Sequence, residues 1–490
     1  MRFLLKLSPE IIIKSTSVRK TMTKILADNV RRLAEKDGIV CRVRRFWDKI
    51  EVEVADEDGA RLQQRLCDTP GIDLVLRVRE LPLAEVSPQA VAQAVAAVAA
   101  PWVAGKTFAV RAKRKGRHAF TSLELERTAG AALLAAAPGA KVDLTHPEVT
   151  VAIELSGEVL ELVEAREKGL GGFPLGAQGE ALALVSGGFD SSVAAFLMLR
   201  RGIKTHFVFF DLGGAEHEAA VQQVCHYLWQ RYARSHPALF ISVPFGEVIE
   251  RLLADVREGY MGVMLKRLML MAASRLADEL GLDALVTGES LAQVSSQTLR
   301  NLALIDRATD KLVVRPVVAL HKNEIIAWAE RIGTRSFAEH LPEHCAVISR
   351  RPVIHGSFER LAELEQNFDF TVLDRALAAR KTWKIEALAA PPEAGEALPV
   401  VTQKTPGEIL IDIRPPELAD EAPLPEADLA IPFFALREAK LPEARRYLLY
   451  CDRGLLSQWH GRALAERGLD VAVYQPARAG IVAPEFETPV

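Results

Sequence analysis

The sequence predicts a multidomain protein, with α+β units in its N-terminal third and α/β units in the rest of the chain. Three observations predict this class. At 490 residues the chain is too long for one hydrophobic core. Apolar runs with strand character alternate with helical stretches along the whole sequence. From residue 181 onward these runs are short and continuous, which is typical of strands buried on both faces of a parallel sheet.

The first 165 residues predict two small α+β units, 1–60 and 61–165, with one sheet each. The first unit has a helix rich in Lys and Arg at 18–36 and strands at 40–45 and 49–54. The second has a long Ala-rich helix, then strands at 106–112, 149–155 and 159–164, with a basic, hairpin-like stretch at 113–118. Residues 169–174 have the composition of a linker, so 166–175 is predicted to lead into the next domain.

Residues 176–388 predict one doubly wound domain with a parallel sheet. Its strands are expected at 181–185, 205–210, 239–243, 284–287 and 312–314, with helices between them. A second linker, 389–402, is rich in Ala, Pro and Glu. After it, 403–485 predicts a small α/β domain with strands at 409–413, 447–450 and 471–474.

Cysteine usage and charge narrow the class of protein further. The five cysteines lie far apart without a CxxC pair, which disfavours a disulfide framework or a zinc ribbon and predicts a reducing cytoplasm. No stretch is long and apolar enough for a secretory signal or a bilayer span, so no membrane partner is expected. Residues 1–50 hold 13 Lys and Arg against 5 Asp and Glu, whereas 386–490 hold 10 against 17. The basic end therefore suits a polyanion.

A glycine- and serine-rich loop follows the first predicted strand of the central domain. It runs Ser186-Gly187-Gly188-Phe189-Asp190-Ser191-Ser192 and leads into an apolar helix. Small residues let the backbone approach phosphates, and the NH groups at the start of a helix point at an anion. The loop lacks the lysine of a Walker loop and the spacing of a dinucleotide-binding motif. It resembles instead the pyrophosphate (PP) loop of ATP pyrophosphatases, which split ATP into AMP and pyrophosphate.

Cys451 lies where the strand at 447–450 ends and a helix is expected to begin. Backbone NH groups and the positive end of a helix dipole stabilise an anionic sulfur at such a point. The segment Cys451-Asp452-Arg453-Gly454 resembles the active loop of rhodanese domains, and Asp412-Ile413-Arg414 resembles the Asp-x-Arg that opens their core. The alternative is an inert buried cysteine. Cys41, Cys67 and Cys225 are expected to be packing residues without chemistry.

Taken together, these segments resemble the bacterial tRNA 4-thiouridine synthetase family, which also serves thiamine thiazole synthesis. The resemblance is carried by the PP loop and by the segments 6–10, 171–174, 262–267, 287–290, 293–298 and 342–349. It implies an N-terminal ferredoxin-like domain and a THUMP RNA-binding domain, then the PP-loop ATP pyrophosphatase domain and a C-terminal rhodanese-like domain.

By that resemblance, ATP with Mg²⁺ is a cosubstrate, and neither a tightly bound prosthetic group nor a resident metal is expected. The implied ATP-binding residues are Leu184, Val185, Ser186, Gly187, Gly188, Ser191, Lys266, Gly288 and Gln297. Gly288 follows a buried strand, where the carboxyl ends of a sheet form a ligand crevice. Lys266 read alone would be a surface lysine that snorkels from an apolar helix. Asp190 is expected to orient the loop or to help hold magnesium.

Residues 105–118 hold six cations and no acid, which favours contact with a phosphate backbone. The candidate RNA-binding residues are Lys106, Arg111, Lys113, Arg114, Lys115 and Arg117. A charge run is often only a solvated surface. A THUMP domain in the matching place favours the RNA-binding interpretation.

Cys345 lies in an expected loop, with no helix start to lower its pKa. From the residues alone it could be structural. The resemblance makes it the second catalytic cysteine, which forms a disulfide with Cys451 after sulfur transfer.

The resulting hypothesis is ATP-dependent thiolation of uridine 8 in tRNA. AMP is transferred to the C4 oxygen, and a persulfide on Cys451 supplies the sulfur, either by direct attack or as released sulfide. The resemblance implies a cysteine desulfurase as persulfide donor, a thiol reductant, and a sulfur-carrier protein for thiazole synthesis. Two other functions remain open at this point: a PP-loop ATP pyrophosphatase acting on a small molecule, and a non-catalytic RNA-binding sulfur carrier.

Overall fold

A computed structural model describes residues 1–212, 215–256, 258–339, 352–388, 398–414, 419, 423–432, 436, 439–451, 457, 460–461, 464–465 and 467–476. The chain divides into two compact units. The first contains residues 1–180, 197–204 and 231–236, and the second contains 181–196, 205–230 and 237–490. Within the described residues, no helix is both long and apolar enough to cross a membrane.

The first unit is built on one mixed sheet with helices packed against one of its faces. Its elements are β1 (Arg2–Leu7), α1 (Pro9–Ile12), α2 (Thr16–Lys36), β2 (Cys41–Arg45), β3 (Lys49–Val54), α3 (Gly59–Cys67), β4 (Ile72–Leu81), α4 (Pro88–Val103), β5 (Thr107–Lys115), α5 (Ser122–Ala136), β6 (Lys141–Val142), β7 (Val149–Ser156) and β8 (Val159–Lys168). The strand order is β2-β3-β1-β4-β8-β7-β5-β6. The apolar sides of α2 and α3 cover β1 in one core, and those of α4 and α5 form a second core.

The prediction of one sheet for each N-terminal unit is wrong. β4 has ten residues and pairs antiparallel with β1 along one edge and with β8 along the other. It therefore joins both predicted units into a single sheet. Local patterning identifies each strand but does not encode which distant strand lies beside it.

The other face of this sheet carries charges that are buried and paired. Glu51 and Glu161 are 2% and 3% exposed. Both accept ion pairs from Arg2 at 2.8 Å, and Glu161 also lies 3.6 Å from Lys49. Unpaired charges are costly to bury, so a shift of strand register that separated these ion pairs would be unfavourable. The network therefore fixes the register on a face that has few apolar side chains.

Two segments of the first unit differ from their sequence-based descriptions. The basic stretch at 113–118 is not a hairpin, since Lys113 and Lys115 continue β5 and pair in parallel with β7. The linker predicted at 166–175 begins within β8 and then packs tightly, with Phe173 and Leu175 buried. Gly172 has φ +73°, and a Cβ there would lie 2.0 Å from a backbone oxygen, so this close packing requires glycine.

The second unit contains a six-stranded sheet in the order β13-β12-β9-β10-β11-β14, counted over the described residues. Its elements are β9 (Glu180–Leu184), α6 (Phe189–Arg200), β10 (Lys204–Asp211), α7 (Ala215–Leu228), β11 (Leu239–Pro244), α8 (Gly246–Asp255), α9 (Met261–Leu280), β12 (Ala284–Val286), α10 (Leu299–Asp306), β13 (Leu312–Val314), α11 (Lys322–Ile332), α12 (Arg335–Ala338), α13 (Phe358–Gln366), α14 (Thr371–Ala378) and β14 (Lys381–Lys384). The five predicted strands are confirmed, and the antiparallel edge strand β14 was not predicted.

This strand order makes the sheet doubly wound, as predicted. The chain proceeds from β9 outward to β10 and β11, then returns to β12 and β13 on the other side of β9. The order therefore reverses between β9 and β12, and in such sheets the ligand crevice lies at that reversal, beyond the carboxyl ends of the strands.

The C-terminal part of this unit forms a parallel sheet, order β15-β19-β18-β16-β17 over the described residues. Its strands are β15 (Val400–Val401), β16 (Glu408–Asp412), β17 (Leu429–Ala430), β18 (Arg446–Tyr450) and β19 (Val471–Tyr474). The three predicted strands are confirmed. β15 lies inside the predicted linker 389–402, because it pairs with the edge of β19.

His236 in the first unit predicts a pH-dependent stability. Burial, followed by the nearby charges of Arg32 and Lys204, lowers the pKa of His236 to about 4. Its Nε2 lies 3.2 Å from Arg32 Nη1, a contact suited to the neutral ring. His236 has a higher pKa in the unfolded state than in the folded state. Its contribution to the free energy of unfolding is therefore fully present above about pH 6.5 and is lost as the pH falls toward 4.

We expect wild-type protein to lose about 1 kcal/mol more stability than His236→Gln between pH 7.5 and pH 5, after allowance for solvent screening of this half-buried side chain. Urea unfolding midpoints of both proteins at the two pH values measure the difference. Equal losses would show that His236 does not contribute to the pH dependence.

Candidate functional site

The predicted phosphate loop connects β9 to α6 and is held by its own serines. Gly187 has φ +82°, which turns the chain sharply at the strand end. Ser186 donates its backbone NH to Ser191 Oγ at 3.2 Å, and Ser192 Oγ donates to Gly188 O at 2.9 Å. These bonds fix the loop so that the NH groups at the start of α6 remain available to an anion.

Leu184 is the last residue of β9 and Val185 follows it, beneath this loop. Leu184 is half-buried and Val185 is buried. Val185 donates its backbone NH to Val208 O at 2.9 Å, which ties the loop to the neighbouring strand β10.

Gly288 lies directly against the loop, although about one hundred residues separate them in sequence. A Cβ at position 288 would lie 2.5 Å from Ser191 N and 2.6 Å from the carbonyl carbon of Asp190. Any larger residue would push the loop away from the sheet. Gly288 therefore serves close packing of two backbone segments at the carboxyl ends of β9 and β12.

Asp190 is bridged to two residues that the sequence reasoning missed. Lys322 Nζ lies 3.1 Å and 3.0 Å from the two carboxylate oxygens, and Gln293 Nε2 donates to Asp190 Oδ2 at 2.9 Å. Lys322 is the first residue of α11, where the helix dipole disfavours a cation. A cation at the start of a helix is therefore the signal in the sequence that could have identified Lys322 as a candidate site residue.

The segment before Gln293 is strained. Ala292 has φ +61°, and within the described residues no other non-glycine residue has a positive φ. Its backbone NH donates to Gln297 O at 3.0 Å. Strain of this kind is typical of ligand-binding loops, and here it orients the segment that contacts Asp190.

Two buried acceptors in the segment between β12 and α10 have no hydrogen-bond partner among the described residues: Oε1 of Gln297 and Oε1 of Glu289. The other oxygen of Glu289 accepts from Arg315 Nε at 2.8 Å and Thr287 Oγ1 at 3.0 Å. A ligand with NH or OH donors, such as a base amino group or ribose hydroxyls, would satisfy such acceptors.

Lys266 is half-buried on α9, which also packs against the turn of Gln297. Within the described part of the chain it forms no ion pair. A half-buried ammonium group without a carboxylate partner suits an anionic ligand better than a role in the fold.

The C-terminal sheet holds Cys451 at the end of its strand β18. The side chain is 4% exposed, and Ser457 donates its backbone NH to Cys451 Sγ at 3.4 Å. Beside it, Arg414 Nε and Nη2 bind the carboxylate of Asp412 at 2.6–3.1 Å, and its guanidinium lies over the Tyr450 ring. A backbone NH directed at sulfur is the contact expected to stabilise a thiolate or persulfide.

The other described cysteines have no such contact. Burial raises the pKa of Cys67 to about 11, raises that of Cys41, and raises that of Cys225 far above its ordinary value. They therefore remain protonated thiols at neutral pH.

Cys345 lies within 340–351, outside the described residues. The chain after it is anchored by Asn301, which is fully buried. Asn301 Nδ2 donates to Val353 O at 2.9 Å and to Ser295 O at 2.8 Å, and its Oδ1 accepts from Gly356 N at 3.0 Å. Asn301 thus fastens the segment that follows Cys345 to the turn that carries Gln297.

The six candidate RNA-binding residues separate into two groups. Lys106, Lys113 and Arg117 are exposed, as is Arg111, which donates to Leu144 O at 2.6 Å. Arg114 packs near Phe120, with Nε 3.3 Å from Ser122 Oγ. Burial acts to lower the pKa of Lys115, but its ion pairs with Glu154 and Asp48 have the larger combined effect and raise that pKa. The charge of Lys115 is thus balanced by carboxylates of the fold.

Two family models match the chain. The model described as thiamine biosynthesis protein (ThiI) matches residues 176–370, which contain the PP loop, Lys266, Gly288, Gln297 and Lys322. The THUMP domain model matches residues 87–163, which contain the six candidate RNA-binding residues.

Curated relatives match over nearly the whole chain. A tRNA sulfurtransferase from Tolumonas auensis is 42% identical over 485 residues, and one from Pseudomonas aeruginosa is 46% identical over 488. Each match covers 97% of this chain and 100% of the relative. A crystal structure of a 4-thiouridine synthetase–RNA complex with bound ATP is similar, with a TM-score of 0.69 and 25% identity. That match covers 78% of this chain and 99% of that chain.

Proposed function

This chain belongs to the tRNA sulfurtransferase family, and from that membership we propose that it uses ATP to convert uridine 8 of tRNA to 4-thiouridine. The observation that carries the proposal is the coexistence of two sites in one unit. One is a phosphate loop whose Asp190 is bridged by Lys322, and the other is a buried Cys451 whose sulfur accepts a backbone NH. A small-molecule pyrophosphatase or a sulfur carrier would use only one of them.

The first step proposed is transfer of AMP to the C4 oxygen of the uridine. That oxygen attacks the α-phosphorus of ATP, and pyrophosphate leaves. The NH groups at the start of α6 and the ammonium groups of Lys266 and Lys322 suit the negative charge that develops on the phosphates. The unpartnered oxygens of Gln297 and Glu289 suit donors on the nucleoside, and Mg²⁺ would enter with ATP.

The second step is delivery of sulfur by a rhodanese-like C-terminal domain. In the direct route, the terminal sulfur of a Cys451 persulfide attacks C4 and AMP leaves. Cys345 then attacks Cys451 Sγ, forms a disulfide and releases the thiolated base, and an external thiol reduces the disulfide. In the alternative route, Cys345 first attacks Cys451 Sγ, which forms the disulfide and releases sulfide; the sulfide then attacks C4 and AMP leaves.

The position of the C-terminal domain supports delivery to the PP loop. Ala220 of α7 shares a buried apolar cluster with Cys451, Ile411 and Leu449. Three residues earlier on the same helix, His217 Nε2 lies 2.9 Å from Ser186 O, within the PP loop. One helix thus contacts both the nucleotide loop and the core that holds the sulfur-bearing cysteine.

The remaining partners follow from the same chemistry. A persulfide must come from a sulfur donor, for which we propose a cysteine desulfurase in the cytoplasm. A persulfide at Cys451 could also be passed to a sulfur-carrier protein for thiamine thiazole synthesis, since that transfer needs no ATP site in this chain.

An in vitro thiolation assay tests the proposed function. Purified protein, ATP, Mg²⁺, unmodified tRNA and a persulfide donor should produce the near-ultraviolet absorbance of 4-thiouridine, with AMP and pyrophosphate formed in equal amounts. Omission of ATP should prevent thiolation. The proposal is wrong if the complete mixture consumes no ATP and thiolates no tRNA.

A further inference from the structure

The turn between β2 and β3 displays two adjacent aromatic side chains to solvent. Trp47 is 68% exposed and Phe46 is 42% exposed. No other Phe, Trp or Tyr in the described part of the chain is exposed. The turn is well defined, since Phe46 donates its backbone NH to Lys49 O at 2.9 Å. Exposed aromatic rings on a fixed turn favour a binding role over a packing role.

A cation of α2, Arg19, borders one side of this turn. The guanidinium carbon of Arg19 lies 5.7 Å from the centre of the Trp47 ring, and Arg19 Nη1 also donates to Ile12 O at 3.3 Å. Lys20, the next residue of α2, is exposed. The Arg19 contact leaves most of the indole open while holding positive charge beside it.

The basic end of β5 borders the other side. Asp48, the residue after Trp47, lies 3.3 Å from Lys115 Nζ through Oδ2. Lys113 and Arg117, on either side of Lys115, are exposed. The aromatic turn is therefore flanked by positive charge from two separate segments.

Only the curvature of the sheet brings these segments together. Four strands, β1, β4, β8 and β7, lie between β3 and β5 in the sheet order. In a flat sheet this would separate them by about 24 Å, too far for an ion pair between Asp48 and Lys115. The sheet must curve so that both segments meet on its charged face.

We propose that Phe46 and Trp47 form a stacking platform for an unpaired nucleobase of the RNA substrate. The proposal rests on the proposed function, since it takes RNA as the ligand. An aromatic face stacks on any base that is free of a partner, and the flanking cations bind the phosphates on either side of that base. An apolar protein segment is a poorer occupant, because cations border the platform on both sides.

Two RNA probes separate stacking from charge. One is a short oligouridylate, whose bases are unpaired, and the other is a blunt RNA duplex with the same number of phosphates. We expect Trp47→Ala to weaken binding of the oligouridylate about 10-fold, with little change for the duplex. The slope of log affinity against log salt should stay the same, because no phosphate contact is lost.

Matched variants control for other causes. Trp47→Phe retains a ring and should keep affinity for both probes within about 3-fold of wild type. Val40→Ala removes an apolar side chain that is 87% exposed in the same unit, and it should leave the affinity for both probes unchanged. Lys113→Ala should weaken binding of both probes and reduce the salt slope by about 1.

The proposal is overturned if Trp47→Ala weakens binding of both probes equally or weakens binding of neither. It is also overturned if Trp47→Phe binds the oligouridylate as poorly as Trp47→Ala. These binding results do not depend on thiolation. Wild-type protein that forms no 4-thiouridine would refute the proposed function, while a preference of the Trp47 platform for unpaired RNA could still be measured.

Discussion

Replacement of Cys451 by alanine is expected to reduce tRNA thiolation by about 10³-fold or more, which is the scale for loss of a nucleophile. The reason is the position of its sulfur, which is buried at the end of β18 and accepts the backbone NH of Ser457. Among the described cysteines it is the one with such a contact. Consumption of ATP in the presence of tRNA should continue, because the proposed adenylation site uses other residues.

Two separate measurements check this expectation: 4-thiouridine by its absorbance, and AMP release in the same reaction. Cys67→Ala is the matched control, since burial raises the pKa of that thiol to about 11 and it should not take part in sulfur transfer. Thiolation by Cys451→Ala at the wild-type rate would refute the sulfur relay. Loss of both thiolation and AMP release would mean that Cys451 is needed for folding or for adenylation, and not specifically for sulfur transfer.

Replacement of Asp190 by alanine should reduce adenylation by about 10²- to 10³-fold, while a persulfide still forms on Cys451. The carboxylate holds Lys322 and Gln293 together beside the phosphate loop. Without it, the Lys322 ammonium group loses its fixed position, and the charge that develops on the phosphates is stabilised less well.

The double variant Asp190→Ala with Lys322→Met distinguishes positioning from independent roles. If Asp190 acts mainly by holding Lys322, the double variant should be about as defective as Lys322→Met alone. Pyrophosphate release measures adenylation, and thiol alkylation measures the persulfide. Asp310→Asn, at an exposed acid of the same unit, should behave as wild type. If Asp190→Ala released pyrophosphate at the wild-type rate, the proposed role of Asp190 in adenylation would be wrong.

Much of the candidate site could be predicted from short stretches of sequence. The order of strand, small-residue loop and helix around Ser186 is local, and so is the position of Cys451 between a strand and an expected helix start. Lys322 stands out in the sequence only as a cation at a helix start, with no sign of its partner. It lies 132 residues from Asp190 and meets it only because α11 begins near the loop in the folded sheet.

The buried acceptors of Gln297 and Glu289 illustrate the same limit. A glutamine in sequence offers an amide, but only its burial without a partner among the described residues identifies its oxygen as an acceptor suited to a ligand. The Phe46–Trp47 turn is likewise an ordinary hairpin in sequence. Its setting between two groups of cations depends on how the sheet curves.

The sequence by itself determined the identity of most strands, the alternation of strands and helices in the central part of the chain, and the phosphate loop. Periodicity, small residues and strand ends are properties of neighbouring residues. The tertiary structure alone decided that the two N-terminal units share one sheet through β4 and that the segment around Phe173 is packed. It also decided that Asp190, Lys322 and Gly288 meet. These depend on pairing and close packing between residues far apart in the chain, which no local pattern encodes.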